Sequence, residues 1–142
     1  MVQLNKLGAA LGKLPYVKAL TDVTGFGLLG HLTEMCEGSK LMAVLSFDRV
    51  PKIPVLDEYL ALKCIPGGTH RNWDSYGHKI GELSDYQKFI LADPQTSGGL
   101  LIAVEEGKEK EFESWLRSQQ IELHAFGYLS EQQAGEKIIT VL

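Results

Sequence analysis

Two stretches of this chain bring hydroxyls, carboxylates and glycines together where one backbone element gives way to the next. The first is Thr21-Asp22-Val23-Thr24-Gly25-Phe26-Gly27-Leu28-Leu29-Gly30-His31, a strand end running into a helix start. Backbone N–H groups at a helix N-terminus attract phosphate oxygens. A carboxylate at the same edge can hold Mg²⁺, which binds through one or two carboxylates plus substrate phosphates. Asp22 is therefore the candidate metal ligand. Thr24, Gly25 and Gly27 are candidate phosphate-binding positions, with Thr21 and Thr24 adding hydroxyl donors. A plainer reading stands beside this one: Asp22 or Thr24 caps the helix, and the glycines admit close helix–sheet packing. His31 reads as a packed or solvent-facing helical residue before a catalytic base.

The same segment matches the dinucleotide-binding fingerprint, with Gly25, Gly27 and Gly30 in G-x-G-x-x-G spacing after a strand. The next strand even runs towards Asp48, where a ribose-binding acid would stand. Against this, Thr21, Asp22 and Thr24 occupy a strand end that the fingerprint keeps apolar, and no second βαβ half follows.

The second stretch is Ala92-Asp93-Pro94-Gln95-Thr96-Ser97-Gly98-Gly99-Leu100-Leu101. Two hydroxyls and two glycines lead into an apolar strand, so Thr96, Ser97, Gly98 and Gly99 can form an anion-binding nest of successive N–H groups. An Asp-Pro turn with glycines at positive φ is the bland alternative. Ser97 is no hydrolase nucleophile, because the G-x-S-x-G elbow needs glycine where Gln95 stands. A third, weaker group is Pro66-Gly67-Gly68-Thr69-His70-Arg71-Asn72-Trp73. Arg71 there could pair with an anion or simply be a surface charge, and Trp73 with Tyr76 reads as core or interface. Zinc is not expected, since His31, Cys36, Cys64, His70 and His78 lack the short paired spacings of its structural sites.

These residues need elements to hold them. The pattern predicts helices over 3–13, 25–37, 54–64, 84–91 and 106–120, with 69–80 helix or loop. It predicts strands over 17–23, 41–47, 100–104, 125–129 and 137–142. Leu41 to Phe47 is almost continuously apolar, as in a strand covered on both faces. Pro66-Gly67-Gly68 reads as a break, and Ser84 as a helix cap with Asp85 in the first turn. Strands and helices mix without strict βαβ alternation, which favours an α+β fold with a mixed sheet. One domain over residues 1–142 is expected from the length.

Composition narrows the function classes. Hydrophobic residues are 44% and charged residues 23%, so the chain can build an ordinary core. Fourteen basic residues against 18 acidic ones give a net charge of −4, without the basic stripe that nucleic-acid binding needs. No apolar run approaches the length of a membrane span. Cys36 and Cys64 fit no paired motif and read as reduced thiols, which points to the cytoplasm. Fifteen glycines in 142 residues exceed the average of about 7%, and seven of them cluster in the three groups above.

The first two stretches, with Gly67-Gly68-Thr69 and Asn72 between them, resemble the C-terminal domain of selenophosphate synthetase, or selenide, water dikinase. The order and spacing of the three groups carry the resemblance across nearly the whole chain. It implies a three-layer α/β/α domain like that of aminoimidazole ribonucleotide synthetase. It implies a full enzyme that converts selenide, ATP and water to selenophosphate, AMP and phosphate, with Mg²⁺, and a homodimer built largely through an N-terminal domain. Asp22 matches that family's one metal-binding aspartate in this domain. The family's N-terminal ATP-binding and catalytic segment, with its Cys or selenocysteine and Lys, has no counterpart here. Neither Cys36 nor Cys64 inherits that role, so the chain alone is expected to be inactive. The other class of reading is a binding module that keeps the fold without catalysis.

Overall fold

A computed structural model describes residues 6–133 and 135–142. In chain order the helices are α1 (Lys6–Leu11), α2 (Gly27–Ser39), α3 (Leu56–Ala61), α4 (Gly67–Tyr76), α5 (Asp85–Leu91) and α6 (Glu109–Ser118). The strands are β1 (Val17–Asp22), β2 (Leu41–Leu45), β3 (Leu100–Val104), β4 (Gly127–Glu131) and β5 (Ile139–Val141). Short 3-10 turns follow β2 and α4, at Phe47–Arg49 and Gly77–Lys79.

The strands form two small sheets. β1 and β3 pair antiparallel, from Val17 opposite Val104 to Asp22 opposite Leu100. β2 lies between β4, antiparallel, and β5, parallel. The apolar run Leu41–Leu45 earns this central place because both of its edges are paired and Met42, Ala43 and Leu45 are buried. The class is α+β with a mixed sheet, as the sequence leads one to expect.

Helix α2 joins the two sheets. It packs on β1 and β3 of one and on β2 and β5 of the other. Leu29, Leu32 and Cys36 recur at helical spacing on its inner face, against Ala43, Leu45, Leu91, Leu101 and Ile139. Each such leucine buried is worth roughly 1.5–3 kcal/mol, so this one helix face outweighs any single loop contact in fixing the domain.

Local signals explain the helix ends where the chain supplies them. Ser84 and Gln87 form a capping box at the start of α5, with Gln87 N–H donating to Ser84 Oγ at 3.2 Å and Ser84 N–H to Gln87 Oε1 at 3.0 Å. Several expected boundaries moved by a few residues, α2 beginning at Gly27 rather than Gly25 and β2 ending at Leu45 rather than Phe47, and two further shifts have local causes. α2 runs through Gly38 to Ser39 and stops at Lys40, which adopts φ 56° and donates its N–H back to Cys36 and Glu37. Pro66 stands just before α4, so Gly67 and Gly68 open a helix where a break was expected. Pro at such a position removes a donor the helix does not use. The part of the expected first helix that falls on residues 3–5 lies outside the described residues. Among the described residues, no helix is long and apolar enough to cross a membrane.

Candidate functional site

The end of β1 and the loop before β3 are laced together by main-chain hydrogen bonds. Val23 N–H donates to Gly99 O at 2.9 Å, Gly98 N–H to Val23 O at 3.0 Å, and Gln95 N–H to Thr24 O at 3.0 Å. Antiparallel pairing puts Asp22 opposite Leu100. Two stretches some 70 residues apart thus become one edge, with Asp22 next to Val23, the residue that pairs with Gly98 and Gly99.

The glycines divide by what surrounds them. Gly27 has φ +70°, and a Cβ there would stand 2.8 Å from Ala92 C and 2.9 Å from Asp93 O. Its work is close packing of the start of α2 on the second loop. Gly98 similarly approaches Val23 O, 2.8 Å from where its Cβ would be. Gly25 and Gly99 have open space instead, and both are exposed.

Neither Asp22 nor Thr24 caps α2. The residue before the helix is Phe26, with no side-chain cap. Thr24 turns inward: its N–H donates to His31 Nε2 at 3.0 Å, and its Oγ1 lies 3.1 Å from the same nitrogen. His31 is buried, and its Nδ1 lies 3.3 Å from Glu34 Oε2. That contact lacks hydrogen-bond alignment, which leaves Nδ1 a buried polar atom without a hydrogen-bond partner. Beside the Glu34 carboxylate this is a loose polar contact, and the packed reading of His31 holds.

Helix α4 contributes Thr69 and Asn72, which the sequence ties to the family resemblance without a role, and Tyr76, which reads from sequence as core or interface and is buried. Asn72 is buried, and its Nδ2 donates to Gly25 O and to Ala92 O, both at 2.9 Å. Tyr76, four residues on, donates its hydroxyl to Phe26 O at 2.7 Å. Thr69 Oγ1 reaches Asp93 Oδ1 at 3.4 Å, and Gln95 Nε2 donates to Asp93 Oδ2 at 2.7 Å. Partial burial pushes the Asp93 carboxyl above its usual range, and the Thr69 and Gln95 hydrogen bonds pull it partway back. The signal that could have found this face is the i, i+4 pairing of Asn72 and Tyr76 on one helix. Arg71, by contrast, is exposed and makes no ion pair among the described residues.

What faces solvent at this edge is Asp22, Gly25, Phe26 and Thr96 to Gly99. Among the described residues the Asp22 carboxylate meets no hydrogen-bond or ion-pair partner, and the N–H groups of Gly25, Thr96, Ser97 and Gly99 meet no acceptor. No three His, Cys, Asp or Glu side chains gather into a metal cluster there or elsewhere in those residues. A cavity of about 610 Å³ lies elsewhere, lined by Asp57, Leu60, Ala61, Tyr86 and Phe89. It is an open groove between α3 and α5 and touches neither stretch. Cys36 is buried, and burial pushes its thiol up to about 11, which keeps it protonated and inert.

Topology disposes of the dinucleotide reading. β1 and β2 flank α2 in sequence but belong to different sheets, so β1, α2 and β2 do not form the parallel βαβ unit that presents a pyrophosphate site.

Comparison with known proteins identifies the family and the fold. The family described as AIR synthase related protein, C-terminal domain, matches residues 1–139. The chain is 53% identical to a selenide, water dikinase of Photorhabdus laumondii over 141 residues, 99% of this chain and 41% of that protein. It is 52% identical to a selenide, water dikinase of Shewanella sp. (strain ANA-3) over 139 residues, 98% of this chain and 40% of that one. The chain thus spans about two fifths of the length of these relatives. A thiamine-monophosphate kinase from Stenotrophomonas maltophilia K279a superimposes with a TM-score of 0.51 at 17% identity, over 89% of this chain and 31% of that one. That likeness is one of fold.

Proposed function

The chain belongs to the AIR synthase related protein, C-terminal domain, family, and from that premise we propose that it is the C-terminal domain of a selenide, water dikinase. The observation that carries the reading is 53% identity to such an enzyme across 99% of the chain. The reaction proposed for the whole protein makes selenophosphate from selenide, ATP and water, releasing AMP and phosphate. The same reading brings Mg²⁺, a homodimer built mainly through the remaining N-terminal polypeptide, and a cytoplasmic setting.

In this reading Asp22 is one ligand of a shared Mg²⁺ site. An exposed carboxylate without a partner fits that role, since Mg²⁺ takes one or two carboxylates and leaves its other positions to water and phosphate. The bound ion would neutralise charge on the transferring phosphoryl group. The N–H groups of Gly25, Thr96, Ser97 and Gly99 lie on the same edge and supply donors for phosphate oxygens. Thr24 and Gly27 shape the edge from within, one held by His31 and the other packed on Ala92.

One carboxylate cannot gather the counter-charges a triphosphate needs, so the chain alone is proposed to be inactive. Exposed Ile53, Val55, Tyr59 and Leu62, the last at 73%, support a domain that works against further polypeptide rather than a self-sufficient module.

The test is selenide-dependent AMP formation by the longest in-frame product containing this chain, beside its Asp22→Asn variant. Asp22 is exposed and unpaired, so the variant should fold with stability within about 0.5 kcal/mol and lose most turnover. Full activity in the variant would remove Asp22 from the metal site. No AMP from the parent protein would remove the reaction itself.

A further inference from the structure

Asn72 reaches both functional stretches at once. Its partners, Gly25 O and Ala92 O, are 47 and 20 residues away in sequence, and both bonds are 2.9 Å long. Both acceptors are main-chain carbonyls, so the side-chain nitrogen must face them and both of its protons are used. The amide therefore acts as a spacer between two loops. Where Asn72 sets that spacing, Gly27 confirms how tight it is, since no Cβ fits between it and Ala92. Tyr76 adds a third bond from the same helix face, to the carbonyl of Phe26.

The geometry points to Asn72 as a positioning residue that holds the Gly25 loop and the Thr96–Gly99 loop at the separation needed to act on one phosphate-bearing ligand. This rests on the functional reading above. Asn72 touches no ligand in this role. Its effect passes through the N–H groups of Gly25 on one loop and of Thr96, Ser97 and Gly99 on the other. Donors on separate loops serve one anion only while their spacing holds, and a displacement of about 1 Å can cost on the order of 100-fold in rate.

Asn72→Leu keeps the side chain's branched shape and removes both hydrogen bonds. Amide hydrogen exchange on the 142-residue chain is the first readout. The Gln95 and Gly98 amides, which bond across the two loops, should exchange about tenfold faster or more, while the β2–β4 ladder keeps its protection. The second readout is steady-state kinetics of the longest in-frame product. There kcat/KM for MgATP should fall by about 100-fold at a temperature where the ladder amides show the variant folded.

Tyr76→Phe, which deletes one oxygen from the same face, should loosen the same two amides to a lesser degree and serves if the leucine variant does not fold. Unchanged exchange at Gln95 and Gly98 overturns the proposal, as does a uniform loss of protection that reaches the β2–β4 ladder. Local loosening with unchanged kcat/KM overturns it too. If the unsubstituted protein makes no AMP, the dikinase reading falls, and the exchange pattern still decides whether Asn72 sets the loop spacing.

Discussion

The main-chain N–H of Thr24 donates to Nε2 of His31, seven residues along and one helix turn inside the fold, at 3.0 Å. An imidazole nitrogen that accepts carries a lone pair, so the ring proton resides on Nδ1. A helical histidine beside a phosphate-binding motif invites a catalytic reading, yet this one spends its acceptor on the backbone.

Long-range ¹⁵N–¹H NMR should accordingly find His31 in the Nδ1–H tautomer at neutral pH. His31→Phe fills the ring volume and strands the Thr24 N–H, which should cost about 1–3 kcal/mol in urea unfolding. An Nε2–H tautomer, or a neutral phenylalanine variant, would contradict the hydrogen bond.

Gly27 and Gly25 should respond oppositely to the same methyl group. Gly27→Ala forces a left-handed conformation on an L-residue and a 2.8 Å approach to Ala92. The loss should be at least about 2 kcal/mol from overpacking and backbone strain together. Gly25→Ala meets nothing within 4 Å and should stay within about 0.5 kcal/mol of the parent. Paired thermal unfolding curves decide the matter, and equal losses would sink the assignment.

Asp93 should make stability depend on pH in an unusual direction for a carboxylate. Partial burial holds its carboxyl above the usual carboxylate range in the folded protein, so the folded state binds the proton more tightly than the unfolded chain does. That contribution is fully present below the unfolded value and lost as pH rises through the folded one. Asp93→Asn keeps an oxygen for Gln95 or Thr69 and never ionises. Its stability relative to the parent should therefore rise from about pH 3 to about pH 7. Denaturant midpoints at both pH values test this, and a relative fall would reverse the sign.

What the sequence determined by itself was local. The apolar run at Leu41–Leu45, the Ser84 cap with its Gln87 partner, and the glycine and hydroxyl groups flanking Asp22 and preceding Leu100 are short-range patterns. Side chains a few residues apart impose them, so periodicity, capping chemistry and motif order could carry both the α+β class and the family resemblance. Tertiary structure alone decided which glycine packs and which faces solvent. Gly25 and Gly27 differ in backbone conformation, only the latter having a positive φ, and in whether Ala92, some 65 residues away, lies against them. It also decided that β1 pairs with β3 and not in a sheet with β2, and that Asn72 rather than Arg71 matters in the third group. The bonds from Asn72 span 47 and 20 residues. The i, i+4 spacing of Asn72 and Tyr76 can mark a shared helix face, but no local pattern says which carbonyls that face will meet, because nothing near Asn72 in sequence responds to where its two partners come to rest.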